Sequence, residues 1–330
     1  MRTTPCRAVG VGLWCMSLML VFGNDANAQN SISVPSDSKF VLQIDLQAIK
    51  SSKVGSAIFE MAKKAAMDEV GKNANAKDIS SDKIQEVLGM DPFEEIQGIV
   101  ICASNYDHPE KSLLGMVRLK KTTGNIEGLL LAIPGYEKSE HRKYEVHSAS
   151  PGDDPKVFGA IHKNTVGNNT LIFGANRASV TGLLDSFDAK NLETSSLKTV
   201  DLQSDRKVIA HLQLLELPME KLGKGPQANI AALLSSLVVS IVEEDDELEI
   251  RGAMQAGTEK KAEQIRQSVQ GLSAMVELFA SMDDQDDDVK NFLQFIKKIR
   301  VSQDGTSVSV KVRVPAAEVA EMIKKEMNDN

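Results

Sequence analysis

Ile299-Arg300-Val301-Ser302-Gln303-Asp304-Gly305-Thr306-Ser307-Val308-Ser309-Val310-Lys311-Val312-Arg313-Val314-Pro315 is the stretch that decides the fold. Val308, Val310, Val312 and Val314 alternate with Ser307, Ser309, Lys311 and Arg313. A period of two belongs to a strand with one apolar and one polar side. Asp304-Gly305 marks a tight hairpin turn, because glycine tolerates the positive φ such a turn needs. Pro315 then opens a helix, where its missing N–H goes unused. A hairpin followed by an amphipathic helix implies antiparallel pairing with helices laid on the sheet.

Outward from this unit the same order recurs. In residues 40–46, Val41, Gln43 and Asp45 alternate with Phe40, Leu42, Ile44 and Leu46, and a helix follows with Val54, Ile58, Met61, Ala62 and Ala65 on one side. A short helix is predicted over 80–88, strands over 98–104 and 113–120, and a helix over 123–132. Strands over 144–148, 156–163 and 170–174 and a helix over 176–187 close this half. Residues 188–206 are polar and aperiodic and read as a connection. The order then restarts with a strand over 208–214, a helix from Pro226 and a hairpin of 237–242 with 248–255 across the acidic turn 243–247. Thr258 caps a long helix striped by Ala262, Ile265, Val269, Leu272, Val276 and Phe279, and another helix carries Val289, Phe292, Leu293 and Ile296. Thr123, Asn176, Thr258 and Pro315 each begin a helix just after a hairpin. The expected fold is α+β, in two pseudo-repeated halves, each a mainly antiparallel sheet of hairpin–helix units with helices packed on one face. The boundaries are 29–187 and 207–330, joined by 188–206. The halves are separate domains or share one sheet, and the pattern is compatible with either.

Residues 1–28 read as an export signal. Arg2 and Arg7 precede an apolar run over 8–22, and Ala26-Asn27-Ala28 supplies the small-x-small pattern of a cleavage site before Gln29. The run is shorter than the roughly twenty residues a spanning helix needs, so no membrane span is expected in the mature chain. Cleavage removes Cys6, Cys15 and Trp14 and leaves Cys102 as the only cysteine. One cysteine closes no intramolecular disulfide, and Cys102 ends the apolar run 98–102, a buried strand. The 38 basic and 46 acidic residues of the full chain become 36 and 45, a net charge of −9. An acidic chain without a basic block is a poor ligand for nucleic-acid phosphates. Aromatic residues at 4% of the chain leave few platforms for stacking on bases. Nucleic acid is therefore not an expected partner.

Phe40-Val41-Leu42-Gln43-Ile44-Asp45-Leu46 running into residues 51–64, and Leu88-Gly89-Met90-Asp91-Pro92-Phe93-Glu94-Glu95-Ile96, resemble a group of uncharacterised exported proteins of planctomycete-type bacteria. The likeness spans most of the mature chain. It implies export and an α+β repeat fold and, as the group has no assigned activity, no site.

Motifs that carry chemistry are few. The sequence has no Gly-x-Ser-x-Gly elbow, His-Glu-x-x-His helix or Cys-x-x-Cys pair. His147 and His162 are metal candidates if their strands pair; the plain alternative is solvent-facing histidine. Asp283, Asp284, Asp286, Asp287 and Asp288 form the densest charge cluster, with Asp284, Asp286 and Asp288 as candidate calcium ligands. Read as an EF-hand from Asp284, Val289 stands where glycine is needed and Phe295 where glutamate is needed. A soluble linker leading into the next helix is the alternative. Gly223-Lys224-Gly225-Pro226-Gln227-Ala228 matches Gly-x-Gly-x-x-Ala but does not directly follow a strand, so it reads as a connection. No cofactor is expected.

These observations favour an exported, non-catalytic binding or structural protein, located in the periplasm, on the cell surface or outside the cell. Its partner is expected to be another protein, met through a protein surface or one face of a sheet. The missing signatures weigh against an enzyme. The alternatives are a hydrolase with a site assembled from scattered Asp, Glu, His and Ser residues, and a calcium-stabilised surface protein.

Overall fold

A computed structural model describes residues 31–73, 91–120, 135–150, 156–163, 169–188, 197–201, 208–217, 226–280 and 297–329, together with 85, 86 and 89. The export signal, the 123–132 helix, the 289–296 helix and most of the 80–88 helix lie outside these residues.

The strands are β1 (Ser31–Pro35), β2 (Phe40–Asp45), β3 (Ile96–Ala103), β4 (Leu114–Leu119), β5 (Glu137–His141), β6 (Tyr144–Ala149), β7 (Val157–Lys163), β8 (Asn169–Gly174), β9 (Leu197–Asp201), β10 (Val208–Leu215), β11 (Leu234–Glu244), β12 (Glu247–Ala256), β13 (Arg300–Asp304) and β14 (Ser307–Pro315). The helices are α1 (Leu46–Ser51), α2 (Lys53–Asn73), α3 (Pro92–Glu95), α4 (Pro109–Ser112), α5 (Arg177–Asp188), α6 (Pro226–Ala231), α7 (Glu259–Ala280) and α8 (Ala316–Asp329). Twelve strands form one antiparallel sheet in the order β13-β14-β12-β11-β10-β2-β3-β4-β8-β7-β6-β5. The two halves thus share a continuous sheet, joined where β2 pairs with β10. Outward from that seam the order is β10-β11-β12-β14-β13 on one side and β2-β3-β4-β8-β7 on the other, with β6 and β5 added at the far edge.

Local chemistry starts and stops these elements. The Asp45 carboxylate accepts from the backbone N–H of Gln47 and Ala48 at 2.9 Å and begins α1. Asn176 accepts from the Ser179 N–H at 2.8 Å and begins α5; Thr258 caps α7 through Lys261 N–H. Gly305 has φ +53°, as its turn requires, and Asp245 and Asp246 take φ values of +52° and +64° between β11 and β12.

Side-chain alternation gives the sheet two faces. On one, Val100, Cys102, Leu114, Met116, Val146, Ala160 and Ile172 pack under Val180, Leu183 and Leu184 of α5; this is the α5 face. On the other, the α2 face, Ile99, Val117 and Leu119 pack under Leu46 and Phe59. Further along the α2 face, Leu248 and Val314 meet Val54 and Ala316, and Met254 and Val308 meet Ala262 and Ile265 of α7. In the second half α6, α7 and α8 thus share one face with α1 and α2, while among the described residues α5 covers the other. The physical reason is composition: on that face the first half is continuously apolar, while in the second half Val238 and Val242 are interrupted by Ser240, His211, Glu249 and Arg251.

Several details depart from the sequence reading. The connection 188–206 contains β9, which pairs with β1 in a separate antiparallel ribbon. β5 is a further strand, whose charged sequence Glu137-Lys138-Ser139-Glu140-His141 hides its pairing with β6. Along α2 the buried residues are Val54, Ala57 and Phe59, while Ile58 and Met61 are exposed. α2 contributes to two clusters at once, so its covered surface is wider than one stripe. In α7, Ala262 and Ile265 are fully buried but Leu272 and Met275 are exposed. Glu243 is no part of a solvated turn: its carboxylate lies across the N-terminus of α2 and accepts from the N–H of Lys53 at 2.5 Å and of Val54 at 2.9 Å.

Candidate functional site

One row of side chains crosses all twelve strands on the α5 face: Arg300, Lys311, Arg251, Ser240, His211, Gln43, Val100, Met116, Ile172, Ala160, Val146 and Ser139. Each is the register partner of the next. The first six are polar or charged; the next five are buried and apolar. The change falls between Gln43 and Val100, at the β2–β3 junction beside the seam.

The polar half of this face is the candidate site. Among the described residues no helix lies over it. His211 is buried and its Nδ1 is 3.0 Å from Ser240 Oγ; burial pushes its pKa down, which keeps the ring neutral. Gln43 Oε1 is buried without a hydrogen-bond partner among the described residues. Glu249, also buried, is held by Arg251 and, at 2.5 Å, by Arg313 Nε. Burial alone would raise its carboxyl; hydrogen bonds from Arg313 and Arg251 outweigh that and hold it below the usual carboxylate range. Toward the edge the row opens to solvent at Lys311 and Arg300. Arg313 also lies 3.9 Å from Glu247 of the same face, so cations and carboxylates are interleaved there. The chemistry available is hydrogen bonding and charge pairing across a broad surface.

A second cluster of titratable groups sits at the C-terminal end of α5. Asp188 accepts from Tyr144 OH at 2.7 Å and Lys143 Nζ at 2.9 Å. His162 Nε2 lies 3.8 Å from the same carboxylate. Its ring rests against Phe187 and Tyr144, centroids 5.0 and 5.7 Å away. Burial lowers the His162 pKa, and burial together with the bond to Asp188 pushes Tyr144 up to about 12. Burial would lift Asp188 itself, but the bonds from Lys143 and Tyr144 hold it down. One turn earlier, Asp185 meets His141 Nε2 at 2.8 Å and Arg142 Nε at 3.2 Å. These contacts tie the β5–β6 hairpin to α5, and each of these groups is engaged by a neighbour within the cluster.

β6 does pair with β7, but the register sets Val146 opposite Ala160 and His147 opposite Gly159. Two-residue alternation then places His162 on the α5 face and His147 on the α2 face, so pairing separates them. His147 Nδ1 lies 2.8 Å from Tyr136 OH. Asp284, Asp286 and Asp288 lie outside the described residues, as do residues 223–225 of the glycine motif. No group of three or more His, Cys, Asp or Glu side chains suited to a metal ion occurs among the described residues. Cys102 is buried. An open depression of about 460 Å³ between α6 and α7 is lined by Asn229, Leu233, Gln264, Gln267 and Ser268, with no titratable group. The polar half-face was not assembled from the sequence because its members come from six strands. Its signal was the polar side of each alternation, such as Ser309, Lys311 and Arg313.

No protein-family model matches this chain, and no curated protein matches it. Among solved structures it is similar to crystal form III of TP0453, with a TM-score of 0.40 and 8% identity over 91% of this chain and 99% of that one. Crystal form I of TP0453 gives 0.37 and 9% over 89% and 96%, and crystal form IV gives 0.39 and 8% over 88% and 97%. No helix among the described residues is long and apolar enough to cross a membrane.

Proposed function

We propose that this chain is an exported, non-catalytic binding protein that meets another protein through the polar half of the α5 face. The observation that carries the reading is the change from Val100 to Gln43 within one row. A face meant only to be covered stays apolar across its width, as the α5-covered half does. This one instead carries polar side chains across six strands, buried at Gln43 and His211 and open at Lys311 and Arg300, where they can pair with an incoming polar surface. The residues of the leader, 1–28, support export. The matching strand order on the two sides of the seam supports two pseudo-repeated halves, of which one kept a covering helix on this face and the other did not.

The test is a photo-crosslinking amino acid placed at Ser309, on the polar half-face, and separately at Ile58, exposed on α2, in cells that make the protein. A discrete adduct at 309 that is missing at 58 supports the reading. Adducts only at 58, or none at 309, overturn it. Turnover of an ester, peptide or glycoside that Asp188→Asn abolishes would favour the hydrolase instead.

A further inference from the structure

We propose that β5 is a self-pairing edge through which two copies of this chain join their sheets in one defined register. β5 is the terminal strand of the sheet, and Glu137, Lys138, Ser139 and Glu140 are all exposed. The β5–β6 hairpin closes over two residues, with His141 opposite Tyr144. In such a hairpin the pair flanking the turn exchanges both backbone hydrogen bonds, and bonded and non-bonded pairs then alternate. Residues 141, 139 and 137 therefore direct their backbone groups at β6, and residues 140 and 138 direct theirs outward. The Glu140 carbonyl confirms the direction: it accepts from Arg177 Nη2, outside the sheet, at 2.9 Å.

Antiparallel pairing of β5 with its copy about Ser139 sets Lys138 opposite Glu140 and Glu140 opposite Lys138. These are the outward-facing residues, so both pairs close backbone hydrogen bonds, with the Arg177 contact giving way to the Lys138 N–H of the second copy. Glu137 then stands opposite His141, and Ser139 opposite itself. Lys138 and Glu140 each meet the opposite charge, which is favourable on a sheet surface; Lys138 then lies between Glu140 of the second copy and its own Glu145, 2.6 Å away. A slip of one step in either direction is penalised: one sets Lys138 against Lys138, the other Glu140 against Glu140 and Lys138 against Arg142. Charges on an edge strand ordinarily keep other strands away; here the same charges reject generic partners and the slipped registers while admitting this one. A five-residue strand pair buries less than a standard interface, so the association is weak and concentration-dependent.

The test is sedimentation of residues 29–330 from about 5 to about 500 µM, a range suited to weak interfaces. The expected result is a monomer–dimer equilibrium that Lys138→Glu and Glu140→Lys each weaken by about tenfold or more. Each variant alone sets like charges opposite. An equimolar mixture of the two, and the double variant Lys138→Glu/Glu140→Lys, restore complementarity and the dimer. Restoration by mixing also shows that neither variant failed to fold. A monomer throughout the range, a dimer insensitive to the single changes, or a dimer not restored by mixing overturns the proposal.

Discussion

Gln43 of β2 and Val100 of β3 stand directly opposite one another on the α5 face, 2% and 1% exposed, and the chemistry of the face changes between them. On the Val100 side the row runs into the core under α5. On the Gln43 side it runs through His211 and Ser240 to Arg251. Two neighbouring residues of equal burial thus belong to different environments, which makes each a probe of its own half.

Replacing Gln43 by Met, of similar volume, removes a buried acceptor that has no partner among the described residues. Stability should rise by about 1 kcal/mol, read as a higher urea midpoint at unchanged slope. Val100→Asn should lower it by about 3 kcal/mol or more, since apolar burial is lost and a polar group is stranded. A Gln43→Met chain that unfolds more easily would mean that the amide serves a contact beyond those described.

Acid should act in two steps. His211 and His162 both have pKa values lowered by burial, so the unfolded chain binds protons first and stability falls as pH drops from about 7 through the usual histidine value. His211→Asn should flatten part of that first loss. Asp188 and Glu249 are held below the usual carboxylate range; their contribution is present above that range and disappears as pH falls through their lowered values. Urea midpoints between pH 8 and pH 3 check both steps, and a flat profile between pH 7 and 5.5 would contradict the first.

In alkali the sign is opposite. With the Tyr144 pKa pushed up to about 12, the folded chain keeps a proton that the unfolded chain releases near the usual tyrosine value, so stability falls as pH rises through that window. Tyrosinate absorbance should show a late-ionising component, and Tyr144→Phe should remove part of it. The loss is expected to be partial, because burial raises Tyr106 as well.

Gly115 on β4 lies under the ring of Phe173, its register partner on β8. A Cβ on Gly115 would sit 2.0 Å from the Phe173 Cζ. Gly115→Ala should therefore destabilise by about 1–3 kcal/mol through overpacking. A melting temperature equal to that of the parent would show that the ring has room to move.

Glu243 and the start of α2 link positions 190 residues apart. The carboxylate supplies acceptors for two N–H groups that the helix itself leaves unpaired. Glu243→Ala should cost about 1–2 kcal/mol, and Glu243→Gln less, because one acceptor remains. Hydrogen exchange at Lys53 and Val54 should quicken in the Ala variant before exchange in α7 does.

Most elements were legible because a local period announces them. The β13–β14 hairpin, the β11–β12 hairpin and the capped starts of α5 and α7 each lie where alternation, a turn residue or a capping side chain puts them. β5, β1 and β9 were missed because their pairing partners supply the order: β5 and β9 show no apolar alternation, and in β1 it amounts to only Ile32 and Val34. Of the candidate site, each strand displayed its polar side, as Ser307, Ser309, Lys311 and Arg313 do, but not which polar sides would be neighbours.

Alternation and turn chemistry are properties of adjacent residues, so the chain by itself determined its strands, its hairpins and its α+β class. Register and face are properties of residues far apart. Only the tertiary structure decided that β2 would pair with β10, that His147 and His162 would point to opposite faces, and that Glu243 would turn inward to cap α2. The physical reason is that a strand offers two equivalent edges and two faces. Its own sequence says which side is apolar, but the partner that hydrogen-bonds to each edge selects the row in which every side chain stands.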